Sequence, residues 1–202
     1  MKSTNVLMVI AVLAVGLAMF NLIITVNKVQ DVEKLTGFAV TDTADVNLSV
    51  ASNLLINFTT DSVDWGTGYV TPGAGNADLY TNGTIVGGSW SAVSSPLVIE
   101  NAGNENANIS LKASNDAAGF IGSASALYQV NVTEKDAGAC SGGMVHSNTW
   151  NSINTTEFLY CGNLTTASGV DELYVNVHIR IPETGVPIGS KGSIITATAE
   201  VV

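Results

Sequence analysis

Cys140 and Cys161 are the only two cysteines in the chain. An even pair in an exported protein points to one disulfide, closing a loop of about twenty residues; two buried free thiols are the alternative. Neither cysteine has another cysteine or a histidine at metal-ligand spacing, so no metal site is expected. The two histidines are His146 and His178. His146 follows Cys140 in CSGGMVHSNTW, where a thiol–imidazole pair is conceivable, but a disulfide would remove the thiol. His178 sits among Tyr174, Asn176 and Arg180 on the polar side of an alternating run, which reads as a plain surface position. The adjacent carboxylates Asp171 and Glu172 would point to opposite faces of a strand. No Gly-x-Ser-x-Gly elbow, His-Glu-x-x-His pair or phosphate loop occurs. GSASAL and GAGNAD are glycine turns without the lysine or helix that phosphate binding needs. Trp65, Trp90 and Trp150 read as packing residues rather than a sugar platform. No enzyme activity and no cofactor is expected.

The most frequent chemical signal is an acceptor for sugar. Seven Asn-x-Ser/Thr triplets begin at Asn47, Asn57, Asn82, Asn108, Asn131, Asn154 and Asn163, none with proline in the middle. All follow the apolar opening, so all would be exported together, and N-linked glycans are expected on them. The alternative is that they are simply outward polar residues of Asn/Thr-rich strands. Asn47, for instance, would lie between inward-facing Val46 and Leu48.

The charge is −10 and unevenly placed. Beyond Gly37, four basic residues (Lys112, Lys135, Arg180, Lys191) face fifteen acidic ones. Such a surface repels phosphate backbones, which argues against a nucleic-acid partner, and it favours solubility. Charged residues are only 12 % of the chain, against about 25 % in an ordinary soluble domain. Uncharged polar residues take their place, as is common outside the cell.

These groups must be carried by two kinds of element. Val6–Val26 is twenty-one residues without charge or proline, long enough as a helix to cover about 30 Å. A cleaved secretion signal could end at Gly16-Leu17-Ala18, yet the apolar run continues well past that point. A plain anchor explains the length. Val26, Val29, Val32 and Leu35 then recur every third residue while Lys28, Asp31 and Lys34 take another side, which is helical periodicity. Gly37 supplies a stop. One helix over about Thr4–Thr36 is therefore expected, apolar all round at first and amphipathic at its end, so that it sits in lipid or among similar helices. Ala11, Ala14 and Ala18 would allow close helix packing, and Asn21 could bond across helices or reach the interface.

From residue 37 to residue 202 the pattern is β. DVNLSV, LLINF, PLVIE, NISLKAS, SALYQVNVTE and FLYCGNL read as short strands between Gly, Asn and Pro breaks. ELYVNVHIRIP is the clearest, with Leu173, Val175, Val177, Ile179 and Ile181 on one face. GSIITATAEV should return as the last strand, pairing nearby across the Pro182–Gly192 loop. GYVTPGAGNADLYTNGTIVGG reads as a long surface loop or a hairpin with irregular ends. Seven to nine strands imply an antiparallel immunoglobulin-like or jelly-roll β-sandwich. The expected domains are 1–36, a hydrophobic and then amphipathic helix, and 37–202, the sandwich.

A short basic start, an apolar helix continuing as an amphipathic one, and a Thr/Gly/Asn-rich β domain resemble the archaeal type IV pilins and archaellins. The resemblance is one of architecture over the whole chain. It implies subunits that wait in the membrane and then polymerise with their own copies, apolar helices forming the filament core and β domains facing outward. Lys2-Ser3 would correspond to the end of a three-residue leader. A variant of the same reading has DVNLSV completing a neighbour's sheet. The alternative is a singly anchored cell-surface or surface-layer glycoprotein that acts as a binding or adhesion module. An anchored hydrolase is a third class, with no catalytic constellation in the sequence to carry it.

Overall fold

The computed structural model describes residues 2–35, 47–93, 95–146 and 148–202. Helix side chains are described over residues 7–28. The expected boundary at Gly37 and the start of DVNLSV at Asp45 and Val46 lie outside the described residues. The chain divides into two compact units, Met1–Ser49 and Val50–Val202.

The first unit carries helix α1, Lys2–Leu35, 34 residues long. No proline interrupts it, and its only glycine is Gly16. Asn47–Val50 follows without strand structure, and Leu48 is 88 % exposed. This corrects the strand expected there and the inward placement of Leu48, since no described element lies alongside to pair with it.

The second unit is an antiparallel β-sandwich. Its strands are β1 (Ile56–Thr60), β2 (Asn76–Tyr80), β3 (Ile85–Val86), β4 (Leu97–Asn101), β5 (Ala107–Ala113), β6 (Leu127–Glu134), β7 (Asn151–Ser152), β8 (Phe158–Leu164), β9 (Glu172–Pro182) and β10 (Ile195–Val201). A short helix, α2 (Ala117–Ile121), interrupts them. Asp116 caps it by accepting from the Gly119 N–H at 2.6 Å, an N-cap signal that strand periodicity alone does not reveal.

β9 organises the larger sheet. Along one edge it pairs with β6, from Leu127↔Arg180 to Glu134↔Leu173. Its other edge is shared end to end by β4, opposite Glu172–Val175, and β2, opposite His178–Pro182. Thr81 fills the junction. Its backbone N–H donates to the Val177 carbonyl at 3.1 Å, and its hydroxyl accepts from the Val177 N–H at 2.9 Å. The smaller sheet runs β10-β5-β8.

Two connections differ from the sequence expectation. β10 pairs with β5 rather than with β9, because the Pro182–Gly192 segment carries the chain across to the other sheet. β4 and β5 flank an Asn/Gly turn, yet they too lie in different sheets. Asn101 is buried at that crossing and donates to the Glu105 and Leu164 carbonyls at 3.0 and 3.2 Å.

The core between the sheets is alternate-residue burial made visible. Leu173, Val175, Val177 and Ile179 of β9 and Ile109 and Leu111 of β5 belong to one buried cluster, which Leu79, Ile99, Val130, Val132 and Leu164 help to complete. Each such side chain contributes about 1.5–3 kcal/mol by leaving water.

Candidate functional site

Three features have chemical or assembly potential: the surface of α1, the asparagine acceptors, and a polar cluster on the outer face of the larger sheet.

Leu7–Lys28 of α1 is apolar apart from Asn21, Thr25, Asn27 and its one charge, Lys28, and none of it is buried. The helix is long and apolar enough to cross a membrane, a description that a signal sequence also meets. Its large side chains are exposed all round, from 42 % at Ile24 to 71 % at Met8. Ala11, Ala14 and Ala18 fall in one stripe, and Asn21 follows nearly in line, by the geometry of 3.6 residues per turn. All four are exposed. The Asn21 carbonyl accepts from the Thr25 hydroxyl at 2.8 Å.

The polar cluster is built by strand register. Tyr80, His178 and Gln129 stand in one row across β2, β9 and β6, and Asp78 and Arg180 in the next. Imidazole Nε2 of His178 lies 2.7 Å from Oδ1 of Asp78. Arg180 donates to the same carboxylate through Nε at 2.8 Å and a terminal nitrogen at 3.2 Å, and Asn76 donates to its Oδ2 at 2.7 Å. On the other side of the ring, Nδ1 lies 2.9 Å from Oε1 of Gln129. Both ring nitrogens thus face acceptor oxygens, and a neutral ring can donate to only one of them; turning the Gln129 amide over lets Nε2–H donate to Asp78 while Nδ1 accepts from the amide nitrogen. Tyr80 stacks on the imidazole at 4.2 Å, and Trp150 meets both rings edge-on.

His178 is therefore only 4 % exposed, which corrects its reading as a surface residue. It does lie on the polar face of β9, but Trp150, entering just before β7, and Tyr80 from β2 roof it over. Burial pushes the imidazole below its ordinary value, only partly offset by Asp78. Burial alone would raise the Asp78 carboxyl, but the Arg180 and His178 hydrogen bonds and charges reverse this and hold it below the usual carboxylate range. Both ring nitrogens are engaged, so the geometry is that of a structural clamp and not of a free base.

Cys140 and Cys161 form a disulfide with Cα atoms 5.8 Å apart. It ties the loop before β7 to β8, and His146 is left exposed with no thiol beside it. Trp65 is buried and Trp90 packs half-buried against the core. Among the described residues no group of His, Cys, Asp and Glu is placed to hold a metal ion.

The seven asparagines are not equivalent. Asn47, Asn57 and Asn82 are exposed, while Asn108, Asn131, Asn154 and Asn163 are half-buried. Oδ1 is buried without a hydrogen-bond partner at Asn131 and Asn163. In two triplets the asparagine oxygen accepts from the backbone N–H of its own threonine: Asn82 from Thr84 at 3.0 Å and Asn154 from Thr156 at 2.7 Å.

No family model, curated protein or solved structure matches this chain.

Proposed function

We propose that this chain is the structural subunit of an extracellular, pilus-like filament. It inserts in the membrane through α1, then polymerises with its own copies through that helix and presents a glycosylated β-sandwich to the outside. The observation that carries this reading is the bare apolar surface of Leu7–Lys28, exposed on every side. A helix greasy all round must be covered by lipid or by similar helices. The stripe of Ala11, Ala14 and Ala18 favours the second as the final state, because small residues let helix backbones approach, and Asn21 can bond across the contact. The sandwich core runs from Trp65 to Ile179 and so supplies a folded, acidic, soluble outer layer.

Shearing cells and examining the released material tests this. Filaments that contain the chain with Val6–Val26 attached support it. Recovery only in detergent-extracted membranes supports instead a singly anchored surface glycoprotein that binds through its loops.

A further inference from the structure

The sheet edges differ in how they are protected. β3 and β7 are two residues each, and β1 is broken by a register irregularity between Phe58 and Thr60. The outer edge of β8 is covered by the disulfide loop, through bonds such as Ser141 N–H to the Asn163 carbonyl at 2.9 Å and Val145 N–H to the Tyr160 carbonyl at 2.8 Å. Gly142 lies so close there that a Cβ would sit 2.5 Å from the Gly162 carbonyl oxygen.

β10 has none of these devices. It pairs with β5 over seven consecutive residues without a shift, and no strand among the described residues pairs on its other side. It contains no proline or lysine, the usual guards of an open edge. Ser114 N–H donates to the Ile194 carbonyl and Val202 N–H to the Asn106 carbonyl. In an antiparallel ladder this phase turns the backbone of the even-numbered residues toward β5 and that of Ile195, Ala197, Ala199 and Val201 outward.

We propose that β10 is a homophilic interface: two copies of this chain pair edge to edge through β10, antiparallel, across a two-fold axis at Thr198. The sequence is self-complementary in that register. Ile195 falls opposite Val201 of the second copy and Ala197 opposite Ala199, so all four outward-facing residues exchange backbone hydrogen bonds with one another. On the solvent face Thr196 meets Glu200 and Thr198 meets Thr198, so no like charges oppose. A cleft of about 290 Å³ opens beside the start of β10, lined by apolar Ile194, Ile195, Trp65 and Phe120 and by polar Asp61 and Ser62. Val201 is 56 % exposed, and the second copy's Val201 arrives beside Ile195 at the mouth of this cleft. A two-fold contact closes on itself, so it joins pairs of molecules and not a polar row. In a filament it would link two neighbouring fibres. The pairing does not depend on α1.

Cysteine cross-linking of the full chain in detergent micelles under mild oxidation tests the register. In a non-hydrogen-bonded pair the two Thr198 Cα atoms come to about 4.5 Å, within disulfide reach, whereas the two Thr196 residues stay about 13 Å apart. Thr198→Cys should give about tenfold more covalent dimer than Thr196→Cys, the distance limit for a disulfide being this sharp. Mixing Thr196→Cys with Glu200→Cys should restore cross-linking between the two variants, and both substitutions lie on exposed positions. Helix-driven association alone would bring copies together without this register. Equal yields from Thr198→Cys and Thr196→Cys, or no cross-link in the mixture, would overturn the interface, including the case in which the chain's own residues cover the edge.

Discussion

Imidazole Nε2 of His178 lies 2.7 Å from carboxylate Oδ1 of Asp78, one hundred residues earlier in the chain. The contact ties β2 to β9 on the side of the sheet away from the core, beneath Tyr80 and Trp150. Burial lowers the folded-state pKa of this histidine, so the unfolded chain binds its proton first as pH falls. Stability should therefore decline once pH drops below about 6.5, the unfolded value. Asp78 acts lower, since its depressed pKa gives stability that is present above about 4 and lost as pH falls through the folded value. Thermal melting between pH 7 and pH 5 should show a decline in the native chain and a flatter profile in His178→Gln. Equal slopes would refute the assignment.

Asp78→Asn at pH 7 should cost about 2 kcal/mol, because it weakens bonds from His178 and Arg180 at once. The penalty stays moderate because Arg180, with its side chain 40 % exposed, can turn to water. Chemical denaturation reads it directly, and an unchanged midpoint would mean that the cluster contributes nothing to stability.

The Cys140–Cys161 disulfide spans 21 residues. In the chain-entropy model a loop of this size is worth about 3 kcal/mol. The double substitution Cys140→Ser and Cys161→Ser should lower stability by that order. It should also raise hydrogen exchange first at Ser141 and Val145, whose N–H groups lie along β8. A uniform rise across the sandwich would show that the loop does not open separately.

Glycan occupancy should follow exposure. Peptide mass spectrometry of the mature protein is expected to find sugar at Asn47, Asn57 and Asn82. Asn131 and Asn163, with Oδ1 buried, should be the poorest acceptors if modification follows folding. Full occupancy at those two would mean that sugar is added before the sandwich closes.

Much of this molecule was legible in the order of its residues. β9 was readable along its whole length, since Leu173 to Ile181 alternate without a break, and the apolar run of α1 is unambiguous. The polar cluster was not. Asp78 lies in a stretch that resembles a loop because Gly and Asn crowd both sides of β2, and nothing local to His178 announces that Tyr80 and Trp150 will cover it. The destination of β10 was hidden for a similar reason: a loop from Pro182 to Gly192 can return to the same sheet or cross to the other, and its composition is the same either way. Period-two alternation reports which face is buried; it does not report which strand comes alongside.

Close packing at the stripe of α1 gives a prediction separable from folding. Ala14→Leu with Ala18→Leu should leave the melting temperature of the sandwich unchanged, since these residues are exposed, yet reduce filament yield by an order of magnitude, consistent with loss of about 1.4 kcal/mol or more per contact. Undiminished yield would remove the stripe from the assembly contact.

The most direct measurement is protein chemistry on sheared, purified fibres: mass spectrometry of the subunit together with electron microscopy of the same sample. The expected result is a fibre whose subunit still carries Val6–Val26, with those helices packed along its axis. Soluble single copies beginning beyond residue 20, or fibres whose axis contains no helix, would contradict it.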